Sequence, residues 1–210
     1  MSCNVIGDSS NRVSIKFDNY RNLHSDGKRL IESWFRKSKL SIDQENVFEA
    51  FIFLWISFNG WYSCTTEQSR DYISINSLCA DNDINNIFND LMLSDDTFNC
   101  NVTRFHSYLP IFDVKDLKEK NLINWNRMQI NDRQLLVQRY LNNHAEKFYP
   151  RCWQYHHDQG NNCPIDFPHL IRGIYKARCN LFHGDKSSHS EMDKNIVESA
   201  YDVLCGIFNE

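Results

Sequence analysis

Hydrophobic positions along this chain gather into helical faces. Leu30, Ile31, Trp34 and Phe35 fall on one side of a predicted helix over about 19–39. The run VFEAFIFLWISF, Val47 to Phe58, is apolar nearly all round. Ser41 as cap, with Gln44 and Glu45 in the first turn, places a second helix from there to about Tyr62. Its all-round hydrophobicity makes it the central helix of a bundle. A shorter helix follows over about 84–93. Asp95 or Asp96 opens another piece towards Tyr108, and Pro110 interrupts it. Segment 111–130 is mixed and receives no assignment. Residues 131–147 read as helical behind Asn131 or Asp132, and 149–164 as a loop with turn chemistry. Pro168 then opens a strong helix, HLIRGIYKARCNLF, which Gly184 ends. Ser188 or Ser190 caps a last helix on which Met192, Ile196, Ala200, Val203, Leu204 and Ile207 form one stripe.

Period-two alternation is convincing nowhere, and only 13–17 suggests a short extended piece. The pattern predicts an all-α bundle with short connections near its C-terminus. A lead-in over 1–17 precedes a single helical domain over 18–210, within which 63–165 holds insertions and loops.

Composition narrows the function classes. The 210 residues suffice for one domain with a proper core. Only 7 Gly and 4 Pro exclude collagen-like and low-complexity readings. A net charge of −4 excludes a strongly basic nucleic-acid coat but leaves room for a local basic cleft. No apolar run approaches the roughly 18 residues that span a bilayer, so no membrane partner is expected. The first residues, MSCNVIGDSSNR, lack the pattern of a signal peptide. The expected location is the cytoplasm, with the eight cysteines reduced.

Phosphate-cradling glycine loops, G-x-S-x-G and H-E-x-x-H are all missing from the chain. Three features remain. The first is Arg178-Cys-Asn-Leu-Phe-His183-Gly184. A histidine titrates near neutral pH, so His183 suits proton abstraction from a ribose 2′-OH. Arg178 suits a bidentate grip on the phosphate, with stabilisation of charge developing on its oxygens. Asn180 would orient either the histidine or the phosphate. Spacing alone does not single this pair out, because R-x4-H also occurs at Arg139/His144 and Arg151/His156. Context does: only Arg178/His183 ends an apolar, buried-looking helix with a glycine directly after it.

That string, YKARCNLFHGDK, resembles the R-x-N-L-x-H-G-x-K arrangement of the HEPN domain superfamily. FEAFIFLWISFNGWYS, with its W-x-x-F-N, is similar to the central helix of such proteins. The resemblance is specific over about 168–208 and partial over 41–62. It implies a bundle of about five helices whose C-terminal pair carries the motif. It implies a homodimer whose two R-x4-H motifs face one cleft. It also implies metal-independent RNA cleavage by 2′-OH attack, leaving a cyclic phosphate, with no cofactor. Such domains occur in toxin–antitoxin pairs and phage-defence systems, so an antitoxin or sensor protein is an expected partner. One departure stands out: Cys179 follows the arginine, where many HEPN ribonucleases carry a polar residue. This motivates a second reading, a catalytically silent module that binds a protein partner or nucleotide. On an ideal helix five residues turn about 500°, which sets Arg178 and His183 about 140° apart. A site shared between two protomers relaxes that constraint.

The second feature is Cys152-x3-His156-His157-x5-Cys163. These residue types suit zinc, yet the spacing matches no zinc pattern and C-x-x-C pairs are absent. The reading is a loop of aromatic and histidine side chains, with no metal assigned. A zinc-stabilised interaction domain is the third reading of the chain. The last feature is a polar shell of His169, Arg172, Lys176, Asp185, Lys186 and His189. From it, Lys186, Arg172 and Lys176 are expected to extend a positive cleft for RNA phosphates.

Overall fold

The computed structural model describes residues 14–17, 22–119, 148–183 and 190–209. Helix dominates them, as the apolar patterning predicts. Helix α1 is Ser25–Asp43 and α2 is Val47–Thr66. Helices α3 (Asp71–Ala80), α4 (Asn82–Ser94) and α5 (Asp96–His106) follow in close succession. A short α6 spans Val114–Glu119 and a short α7 spans Trp153–Asp158. Helix α8 is Phe167–Phe182 and α9 is Glu191–Ile207.

Helix α2 is the centre, as its sequence requires. It buries Phe51, Leu54, Trp55, Phe58, Trp61 and Tyr62, all at 1% exposure or less. Each such side chain stabilises the fold by about 1.5–3 kcal/mol through burial. Helix α1 lies antiparallel to it. The buried Ser38 hydroxyl donates to the Ala50 carbonyl at 2.9 Å, and Ser57 donates to Ile31 at 2.7 Å. Helix α9 packs on α2 and α5 through Ile196, Ala200, Val203, Leu204 and Ile207. Met192, the first member of the predicted stripe, is 39% exposed.

Several boundaries differ from expectation. Helix α1 runs on to Asp43, so Ser41 sits in its last turn and does not cap α2. Its hydroxyl bonds back to the Lys37 carbonyl and to the Glu49 carboxylate. Asn46 occupies the cap position of α2 instead. The expected start at Asp95 holds, since it caps α5, and Asp81, which the sequence reading did not single out, caps α4. Ser190 caps α9, accepting from the Asp193 amide. The segment read as a loop over 149–164 contains α7. The predicted helix over 131–147 and the Gly184 stop lie outside the described residues.

Two small antiparallel ribbons complete the fold. Strands β1 (Ser14–Ile15) and β4 (Phe208–Asn209) pair with Ile15 opposite Phe208. The end of the predicted lead-in is therefore part of the packed unit. Phe17 is 1% exposed, against Trp61 and Phe167. Strands β2 (Ile111–Phe112) and β3 (Phe148–Tyr149) pair beside α8. Among the described residues, no helix is long and apolar enough to cross a membrane.

Candidate functional site

Helix α8 positions most of the predicted chemistry. Asp166 caps it by accepting from the His169 amide at 2.9 Å, and Pro168 stands in its first turn. Phe167, Leu170, Ile171, Ile174 and Ala177 bury one face at helical spacing. His183 forms the C-cap and is exposed, its amide donating to the Cys179 carbonyl at 3.1 Å.

Arg178 lies one turn before that cap. Its guanidinium carbon sits 4.4 Å from the Phe182 ring centroid and 5.6 Å from that of Trp55. The side chain is thus laid along the helix towards the residue that precedes His183. One terminal nitrogen pairs with an Asp71 carboxylate oxygen at 3.4 Å, and the Arg178 side chain is 21% exposed. Asp71 opens α3, and its other oxygen accepts from Asn59 at 3.4 Å. The Arg178 Nε is buried and bonds nothing among the described residues. Two phenols line the same region. Burial and the Asp71 charge push Tyr62 well above its ordinary pKa, and burial beside the Cys179 thiol does the same to Tyr175. Both remain neutral.

The other predicted residues are engaged within the fold. Asn180 is 2% exposed, and its amide nitrogen donates to the Phe112 carbonyl at 2.8 Å. Its visible role is to tie α8 to β2 rather than to orient a phosphate. The Lys176 ammonium pairs with Asp113 at 2.8 Å, lies over the Tyr149 ring and is 11% exposed. Arg172 donates to the Asn76 side chain at 3.3 Å and to the Pro168 carbonyl at 3.5 Å. Both cations thus have partners within the fold. Lys186, Asp185 and His189 lie outside the described residues. Of the competing motifs, Arg139/His144 lies outside them too.

A second constellation stands at the opposite end of α8. One ligand atom from each of Cys152, His156, Cys163 and His169 lies within 4.8 Å of every other. Cys152 precedes α7, His156 lies on it, Cys163 is in the loop after it, and His169 is in the first turn of α8. The Nε2 of His169 is 3.0 Å from the Cys152 sulfur, and its Nδ1 is 2.5 Å from the Asp166 carboxylate. His106, the last residue of α5, donates through Nε2 to the Cys163 carbonyl at 2.7 Å. Burial and the adjacent Cys152 push the Cys163 thiol up to about 12. Burial alone would raise Asp166, but its bonds from His169 and the nearby Arg172 hold it below the ordinary carboxylate range. This donor set could hold a metal ion. His157, a member of the sequence candidate, is instead stacked on Trp153 at 4.9 Å.

No family model, curated protein or solved structure matches the chain significantly. Residue chemistry and geometry therefore carry the functional reading. Sequence reasoning missed Asp71 as the partner of the motif arginine, and nothing local marks it; Asn59, the last residue of W-x-x-F-N, donates to Asp71. Sequence reasoning also set His169 apart from the cysteines, although C-x3-H-x6-C-x5-H is visible once His157 is dropped.

Proposed function

We propose that this chain is a metal-independent RNA endonuclease of HEPN type that acts as a homodimer. The observation that carries this reading is the C-terminal end of α8. There Phe182, Trp55 and Asp71 hold Arg178 along the helix, and the exposed His183 caps the same helix end. His183 accepts the proton of a ribose 2′-OH. The 2′-oxygen bonds to phosphorus, and the bond from phosphorus to the 5′-oxygen breaks. That oxygen takes a proton from the second copy's protonated His183 or from water. The products are a cyclic phosphate and a 5′-OH. Arg178 holds the phosphate and stabilises its oxygens as charge builds. A fixed guanidinium has little reorganisation to make in the transition state. Asn180 supports the geometry by anchoring α8 to β2. The setting we propose with it is toxin or phage defence, with an antitoxin or sensor protein as its control; the string's resemblance to HEPN proteins supports this.

The test is incubation of the full chain with end-labelled RNA in magnesium-free buffer. Cleavage leaving cyclic phosphates, with a 2′-deoxy residue at the cleaved position blocking it, is expected. A folded chain that cuts several RNAs nowhere, or that cuts the deoxy substrate equally well, overturns the reading.

A second reading is a silent module that binds a protein partner or nucleotide. The Arg178–Asp71 pair favours it, since the cation already has a partner inside the fold. Capture of a stable partner by a chain without cleavage activity would select it.

A further inference from the structure

We propose that Cys152, His156, Cys163 and His169 form a structural zinc site that fastens α7 and its following loop to the N-terminus of α8. The four ligand atoms lie within 4.8 Å of one another. A tetrahedral ion with bonds of about 2.0–2.3 Å to nitrogen and sulfur sets its ligands roughly 3.3–3.8 Å apart, so small side-chain rotations close the cage. Two thiolates with two imidazoles are a donor set that selects zinc. All four positions come from protein, the mark of a closed structural site rather than a catalytic one with an open position.

The surroundings fit a metal ligand set. His169 offers Nε2 towards Cys152 because Asp166 accepts from its Nδ1. A carboxylate behind a ligating imidazole fixes its tautomer and raises its basicity. His106 holds the backbone of Cys163 from α5, outside the loop. The turn between ligands is also built. After α7, Gly160 adopts φ +70°, its amide bonds to the His157 carbonyl, and the Asn161 amide bonds to His156. These are the two bonds of a Schellman motif, which reverses the chain directly after His156 and returns it to Cys163. Glycine suits that position because a side chain at that φ is strained.

This inference is independent of RNA cleavage: it concerns the end of α8 opposite Arg178 and His183. Its test is metal analysis of the full chain, purified reduced, without a metal-binding tag or chelator. Equimolar zinc is expected in the parent and in His157→Ala, and its loss in Cys163→Ser. Exchange of the parent with cobalt(II) is expected to give the intense bands of a tetrahedral ion with thiolate charge transfer. That measurement stands even if Cys163→Ser fails to fold. A folded parent that holds no stoichiometric zinc and yields no tetrahedral cobalt spectrum overturns the proposal, as does a Cys152–Cys163 disulfide in the reduced preparation. Retention of full zinc by folded Cys163→Ser overturns it too.

Discussion

Asp166 serves two donors with one oxygen: the backbone amide of His169, as helix cap, and the Nδ1 of the same residue. Asparagine would keep an acceptor for the amide while withdrawing the negative charge behind the imidazole. Asp166→Asn is therefore expected to leave α8 folded and to weaken zinc binding about 10–100-fold, read by competition with a chromogenic chelator. Unchanged affinity would show that Asp166 is only a cap. Arg178 shows a similar division of labour, since Asp71, Phe182 and Trp55 fix its direction. Such partners are hard to read from sequence. Asp71 lies 107 positions before Arg178 (178 − 71) and looks like any first-turn acid. Arg178 and His183 were legible because a glycine and an apolar helix flank them. Asn180 and Lys176 belonged to the same string, but their partners Phe112 and Asp113 sit in a segment whose pattern gave no assignment.

At the scale of elements, close approach of helices decides what the core tolerates. A Cβ added at Gly206 on α9 would stand 2.6 Å from the Phe98 ring on α5. Phe98 is 1% exposed and packed edge-on against Phe88, so it has nowhere to go. Gly206→Ala is expected to lower stability by about 1–3 kcal/mol from overpacking, outweighing the roughly 0.5–1 kcal/mol that alanine gains over glycine in a helix. Urea denaturation checks this, and a variant as stable as the parent would contradict it. Long apolar runs made α2, α8 and α9 legible, and an aspartate cap marked α5. Helix α3 escaped notice because DYISINSLCA has no clean face: Tyr72 and Ile73 are exposed while Ile75 and Leu78 are buried. The start of α2 was misplaced because Ser41 resembles a cap by type, while its hydroxyl bonds backwards into α1.

On the scale of the whole molecule, α8 joins two chemistries. Its N-terminus carries the Cys–His cluster and its C-terminus carries Arg178 and His183, with a buried face between them. The N-terminal strand closes over the end of α9, so the described termini meet on one side of the bundle. The all-α class followed from periodicity alone, because a bundle buries one face per helix. The Cys–His cluster followed only in part: residue type marked Cys152, His156 and Cys163, but His169 stands on a second helix and only folding brings it to them. The measurement that tests the central claim most directly compares RNA cleavage by the parent and by His183→Ala in magnesium-free buffer, with helical circular dichroism recorded for both. Loss of a proton-transfer group typically costs about 10²–10⁴-fold in rate. The account predicts a fall of that order with an unchanged spectrum. Equal cleavage by a folded His183→Ala would contradict it.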